Sequence, residues 1–350
     1  MSFGSPGAFY LSVWEKAMSQ LIQEEKPFRK GSALRLVETR SLSRTDWLEV
    51  RRTGIGGSDA AAAVGLNPYK SALELWLEKT GRDANLAQPD PHDTTEPVYW
   101  GTLLEPIVAA AYTQQTGNRV RKVNAVLQHP TIPFMLANLD REIVGVPGLQ
   151  ILECKTAGEF GARLWRDGVP EYVQLQVQHQ LAVTGKRAAD VAVLLCGQQL
   201  AVHRIERDDE LIARLIPLEA AFWQYVTTDT PPPADGSESA DRALRCLYPG
   251  HAGVTVDFTD DRRMCSTFAD LVAVRAEIEA REQQEARLKQ TIQQAMGDAS
   301  RALFETGEVS FKRSKDSDGT DLKRLLADHP ALQQQYAITK PGSRRFLVSV

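Results

Sequence analysis

Cysteine is scarce and scattered in this sequence. The four residues stand at 154, 196, 246 and 265, and no two form a CxxC pair. That spacing excludes a zinc ribbon and a thioredoxin-like site. It also lacks the grouped cysteines of an iron–sulfur cluster. Free buried thiols in a reducing cytoplasm are the plain reading. Long apolar runs are missing as well: none approaches roughly 18 consecutive residues, so no membrane-spanning helix and no membrane partner are expected. The first twenty residues hold an apolar run with no basic region ahead of it, and do not read as a secretory signal. Glycine (24) and proline (18) are too few for a collagen-like or low-complexity chain.

What is present is ordinary for a globular protein: 43% hydrophobic and 25% charged residues over 350 positions. That length suggests about two domains. The net charge is −4, which counts mildly against a nucleic-acid binder. Its distribution is uneven. Residues 26–52 hold eight Lys/Arg against three acids, and 312–345 hold eight against four. Residues 205–300 hold ten basic and eighteen acidic residues. Two basic ends suit phosphates, while the acidic middle keeps the sum negative. Chance clustering on solvated faces gives the same pattern.

Along the chain, residues 1–32 read as an N-terminal extension with a helix and a turn. Residues 33–226 alternate helix-like and strand-like segments. Helix signals begin at Thr45/Asp46 and again at Ser58 or Asp59, and SALELWLEKTG ends at Gly81. GTLLEPIVAAAYTQQTG carries Leu104, Ile107, Val108, Ala111 and Tyr112 along one side, with Pro106 and Glu105 expected in the first turn. RVRKVNAVLQH, FMLANLDREIVG and LQILECKT read as three antiparallel strands. VPEYVQLQVQHQLAVTG then reads as a helix and AADVAVLLCGQQLAVHRIE as a hairpin. The order predicts a mixed α/β core around a central sheet. Residues 227–242 read as a linker. The remainder, 243–350, reads as an α+β appendage: a charged helix over 267–296, a hairpin, a helix over 321–337 and a final strand. Leu271, Val274, Ile278, Leu288 and Ile292 approach heptad spacing in the long helix, but Arg281 and Glu285 interrupt the seam.

The chemistry concentrates in LQILECKT. Glu153 and Lys155 are two apart on a predicted strand, so they share a face, while Cys154 points toward the core. By itself such a pair is equally a surface ion pair. Asp140 closes the strand FMLANLD thirteen residues earlier. A tight antiparallel return lays the two strands about 4.8 Å apart, so Asp140 and Glu153 can meet at one ion. Two carboxylates beside a lysine suit Mg²⁺, with the lysine orienting or deprotonating water. Asp140 alone also reads as a turn residue. Glu105 alone reads as a helix-dipole partner. Gln176 either bonds within the core or points into a cleft.

Taken in order, an acid on a helix, Asp at a strand end, E-x-K on the next strand and Gln on a helix resemble the PD-(D/E)xK nucleases. More closely, residues 40–226 resemble the YqaJ-type viral recombinase nucleases, the family of phage lambda exonuclease. The resemblance implies a restriction-endonuclease-like α/β core. It implies Glu105, Asp140 and Glu153 as acidic metal-site residues, Asp140 and Glu153 ligating directly with the Cys154 backbone carbonyl. Lys155 would be the catalytic lysine and Gln176 would complete the motif. Leu139 replaces the proline of the superfamily's name. A second match lies in WLEVRRTGIGGSD, where the resemblance implies that Arg51 and Ser58 bind a terminal 5′-phosphate. A glycine turn at a helix start and a bidentate arginine suit an anion. Ser58 is equally an ordinary N-cap, and Asp59 turned inward would repel a phosphate. Arg119, Arg121 and Lys122 either line a DNA groove or guard an exposed strand.

The expectation is therefore a cytoplasmic, Mg²⁺-dependent exonuclease, using one or two ions with Mn²⁺ as a substitute. It would act 5′ to 3′ on linear duplex DNA ends and leave 3′ single strands for recombination. The resemblance adds a single-strand annealing partner and a ring-shaped homotrimer. An endonuclease or resolvase on the same core, and a non-catalytic DNA-binding scaffold, are the alternatives.

Overall fold

The apolar run AADVAVLL has no polar alternation, and a strand of that kind is covered on both faces. It forms β7 (Ala188–Leu195), whose first six residues are buried. The computed structural model describes residues 33–87, 89–340, 342 and 344–349. The expected helix and turn over 1–32 lie outside the described residues. β7 sits within a five-stranded mixed sheet in the order β2-β5-β6-β7-β8. The strands are β2 (Arg119–Lys122), β5 (Arg141–Val144), β6 (Ile151–Ala157), β7 and β8 (Gln199–Glu206). β6 and β7 run parallel, Glu153 opposite Val191, and the other pairs are antiparallel.

Helices cover both faces, as the sequence predicts. α5 (Glu171–Thr184), the crossover between β6 and β7, lays Val173, Val177 and Leu181 against Ile151, Val191 and Val193. On the other face α4 (Pro97–Thr116) lays Val108, Ala109 and Tyr112 against Leu152, Ala188 and Ala192. α1 (Arg44–Arg52), α2 (Gly57–Ala63), α3 (Ala72–Lys79) and α6 (Asp209–Thr227) are further helices of this unit. β1 (Leu34–Glu38), β3 (Ala125–Gln128) and β4 (Leu136–Ala137) form a separate three-stranded sheet.

Several boundaries differ from the sequence reading. RVRKVNAVLQH splits between two sheets, because β2 pairs with β5 while β3 pairs with β1 and β4. Asp140 does not end a long strand; it lies between the two-residue β4 and β5. α4 begins at Pro97, so Glu105 and Pro106 lie in its interior rather than its first turn, and Ile107 faces outward. α1 is capped by Ser43, whose hydroxyl accepts from the Asp46 N–H, and not by Thr45 or Asp46.

The expected linker is also displaced. One compact unit reaches to Pro249 and the next begins at Gly250. Residues 227–242 therefore stay with the first unit. Its α7 (Glu238–Leu247) buries Ala243 beside Leu73 and Leu77 of α3, and the Ser239 hydroxyl accepts from the Ser71 N–H at 2.8 Å. The Pro-rich composition marked a bend whose far side is anchored by side chains. In the second unit, α8 runs from Arg262 to Met296, and β9 (Arg301–Phe304) pairs with β10 (Gly307–Ser310). The helix expected over 321–337 divides into α9 (Leu322–Asp328) and α10 (Pro330–Gln335), since Pro330 has no N–H to continue the first. Residues 344–349 form no strand.

Candidate active site

Strand alternation puts Glu153 and Lys155 on the α5 face of the sheet and Cys154 on the opposite, α4 face. The Cys154 side chain packs in that apolar layer, where burial, then Asp140 and Glu153, push its thiol well above the ordinary range. Its backbone faces the acids: the Cys154 N–H donates to Asp140 Oδ2 at 2.8 Å. One hydrogen bond thus joins the start of β5 to the middle of β6 and brings the two carboxylates together.

Glu153 is 2% exposed and fully surrounded. Its Oε1 receives Gln176 Nε2 at 2.5 Å and Lys155 Nζ at 2.8 Å. Its Oε2 receives Gln180 Nε2 at 2.8 Å. Lys155 also donates to Gln176 Oε1 at 3.0 Å, which closes a ring of three side chains. Burial pulls the Lys155 ammonium down, but Glu153 and Asp140 outweigh it, so the group sits above its usual value and is charged at neutral pH. Asp140 moves the other way. Burial, then the Glu153 carboxylate, push it up to about 8. Lys155 and the Cys154 N–H pull it down, but they do not match burial and Glu153.

Glu105 reaches this cluster through a residue the sequence reading passed over. Arg141 bonds the Glu105 carboxylate and, with the same nitrogen, the Asp140 carbonyl at 2.6 Å. Among the described residues no three His, Cys, Asp or Glu side chains gather at one point. The donor set nevertheless fits a small hard cation: two carboxylates and a backbone carbonyl offer oxygen, and a cation between the acids would offset the Glu153 charge that raises Asp140. Glu105 is held one guanidinium away.

The second motif packs directly on α5. Gly57 opens α2, and a Cβ there would meet Gln180 Cγ at 3.1 Å and Gln176 Cγ at 3.3 Å. At Gly54 a Cβ would meet the Phe134 carbonyl at 2.5 Å. Ile55 then exchanges hydrogen bonds with Phe134 and Leu136, at 2.6 and 2.8 Å, and docks the turn on β4. Glycine is required because two backbones and the α5 glutamines pass so close. Arg51 lies over the Trp47 ring at 4.9 Å and donates from Nη2 to Ser58 Oγ and Asp59 Oδ1, both at 2.9 Å. Ser58 is exposed and is not the cap, a place taken by Gly56. Asp59 does point inward, but Lys79 meets its Oδ2 at 2.7 Å. Burial opposes the Asp59 charge, yet Lys79 and Arg51 hold the carboxyl far below its usual range.

Arg119, Arg121 and Lys122 lie on the edge strand β2, separated from β6 by β5. Arg121 is spent on Glu142, at 2.6 Å. Sequence reasoning therefore found Asp140, Glu153, Lys155 and Gln176 in one cluster, and Arg51 with Ser58 in another. It missed Arg141, Gln180 and Lys79. Gln180 carried a signal, being one helical turn beyond Gln176. His179 was also passed over; its buried ring lies between Glu219 Oε1 at 2.7 Å and the Leu136 carbonyl at 2.8 Å.

Comparison with known proteins follows the same stretch of chain. Residues 46–187 match the YqaJ-like viral recombinase domain. The YqaJ protein of Bacillus subtilis is 36% identical over 305 residues, covering 86% of this chain and 92% of that protein. A protein of African swine fever virus is 40% identical over 225 residues, 55% of this chain and 62% of the viral one. Among solved structures, the alkaline exonuclease LHK-Exo of Laribacter hongkongensis superposes with a TM-score of 0.43 at 23% identity, over 53% of this chain and 93% of that one. No helix among the described residues is long and apolar enough to cross a membrane.

Proposed function

The chain belongs to the YqaJ-like viral recombinase domain family, and from that membership we propose that it is a Mg²⁺-dependent exonuclease. It digests linear double-stranded DNA from 5′ ends and leaves 3′ single strands that an annealing protein uses in recombination. One observation carries the reading: Asp140 and Glu153 converge across the Cys154 N–H, with Lys155 and Gln176 bonded to Glu153.

In this reading Asp140, Glu153 and the Cys154 carbonyl hold Mg²⁺, or Mn²⁺ in its place. The bound ion supplies Lewis acidity for phosphodiester hydrolysis and lowers the pKa of water. Lys155, a charged ammonium fixed by Glu153 and Gln176, orients the attacking water and meets the charge growing on the phosphate. Gln176 and Gln180 hold the Glu153 carboxylate in one orientation. Arg141 places Glu105 beside the metal site as a reserve of negative charge. Arg51 and Ser58 form the seat of the terminal 5′-phosphate: the arginine has both Nη2 hydrogens on Ser58 and Asp59 and offers its Nη1 hydrogens to the anion, and Lys79 neutralises the Asp59 carboxylate that would otherwise repel the anion.

The test offers purified protein and Mg²⁺ two substrates, a linear duplex carrying a 5′-phosphate or a 5′-hydroxyl and a covalently closed circle. The proposal expects loss of the linear DNA alone, faster with the phosphate. Cutting of the circle would replace it with an endonuclease. Digestion of neither substrate would reject hydrolysis altogether.

A further inference from the structure

The long helix of the second unit, α8, buries none of its 35 residues. Yet it carries a stripe of large aliphatic side chains. Val274, Ile278 and Leu288 are 51%, 52% and 60% exposed, and Leu271 and Ile292 are half-buried. These positions follow one heptad register, with 271, 278, 285 and 292 at a and 274, 281, 288 and 295 at d. The stripe extends about 32 Å at 1.5 Å per residue. Arg281 at d and Glu285 at a interrupt it at its centre.

The interruption is symmetric, and it selects a partner. The seam has its midpoint at Gln283. A second copy of the helix laid antiparallel about that point sets each a position against a d position. Ile278 then faces Leu288, Val274 faces Ile292 and Leu271 faces Ala295. In the same register Arg281 of each copy faces Glu285 of the other, which gives two reciprocal ion pairs at the centre of an otherwise apolar seam. A parallel pairing would set Arg281 against Arg281 and Glu285 against Glu285, two like-charge contacts. We propose that α8 is a homodimerisation element, and that the Arg281/Glu285 couple fixes its antiparallel orientation and register.

Among the described residues these two side chains are held by exposed neighbours of their own helix. Glu285 pairs with Lys289 at 2.7 Å, and Arg281 donates to Gln284 at 3.2 Å. Exposed pairs of this spacing are weak, so exchanging them for contacts across an apolar seam requires little. The antiparallel arrangement does bring Glu282 next to its counterpart and Arg275 next to Lys289 of the other copy. Those contacts lie at the solvent rim, where salt screens them. The central pairs are flanked by Ile278 and Leu288 and feel much less screening. A polar couple inside an apolar seam commonly serves to fix register, and an isologous two-fold contact needs the self-complementarity seen here. The pairing is independent of the chemistry at Glu153.

The test measures the mass of the full-length protein in solution, by light scattering or sedimentation, for wild type, R281E, E285R and the double exchange R281E/E285R. Each single exchange places like charges at the seam. The assembly mass should halve at concentrations where the wild type is fully paired, with association weakened by at least about 100-fold. Both variants keep a charged residue on an exposed helical surface, and helicity by circular dichroism checks their folding. The double exchange restores both ion pairs in the antiparallel register and should restore the mass. In a parallel register it restores nothing. A mass unaltered by the single exchanges, or not recovered by the double exchange, would overturn the proposal.

Discussion

The pair His179–Glu219 offers a quantitative test of how α5 is held beside the acidic cluster. Both residues are 0% exposed. Each ring nitrogen faces an acceptor, Glu219 Oε1 on one side and the Leu136 carbonyl on the other. Burial opposes the imidazolium, but Glu219 outweighs it and raises the His179 pKa. Among the described residues, Glu219 Oε2 finds no hydrogen-bond partner, so the carboxylate depends on the imidazolium alone. The two deletions are therefore unequal. His179→Leu strands a buried carboxylate and should destabilise the first unit by about 3–5 kcal/mol. Glu219→Leu lets the imidazole shed its proton while keeping one hydrogen bond to Leu136, and should cost only about 1–3 kcal/mol. The double variant leaves no buried charge and should fall short of the sum by about 1–3 kcal/mol. Urea unfolding at neutral pH reads all three. Because the folded pKa is raised, the contribution of the pair is complete below pH ~6.5 and is lost as pH climbs through the raised value. Additive variants, a costlier Glu219→Leu, or stability that increases as pH climbs through that window would refute the reasoning.

Four further outcomes follow from the same geometry. Lys155→Met should lower the cleavage rate by roughly 10²–10⁴-fold while leaving cation binding, followed by calorimetry, in place. Gln180→Leu frees Glu153 Oε2 and should reduce metal affinity by about 10–100-fold. Gly57→Ala drives a Cβ against the Gln176 and Gln180 side chains and should cost about 1–3 kcal/mol, with a parallel loss of cleavage. Arg51→Ala should erase the preference for a 5′-phosphate over a 5′-hydroxyl more than it lowers cleavage of the hydroxyl end, read as the ratio of the two rates.

The parts of the site that strand alternation governs were legible in the sequence. Glu153 and Lys155 share a face because they are two apart on a strand, whatever surrounds them. Cys154 faces the other layer for the same reason. Gln176 was legible as a polar residue beside a buried helix face. What tertiary packing decides was not legible. Arg141 adjoins Asp140 in sequence, but its grip on Glu105 depends on where α4 crosses the sheet. That crossing was misjudged because the helix starts at Pro97, a favourable first residue, and carries Pro106 in its interior. The threat posed by Asp59 to a bound phosphate is answered by Lys79, twenty residues away on another helix. The Pro-rich stretch 227–242 looked detached because composition does not reveal that Ser239 bonds Ser71.

The central claim is that Asp140 and Glu153 form a cation site on which DNA hydrolysis depends. The most direct measurement follows degradation of a 5′-phosphorylated linear duplex across a Mg²⁺ titration, for the wild type and Asp140→Asn side by side. The account predicts degradation that rises with Mg²⁺ and stops with chelator in the wild type, and none at any Mg²⁺ concentration in the variant. Equal rates in the two proteins, or wild-type degradation indifferent to Mg²⁺, would contradict it.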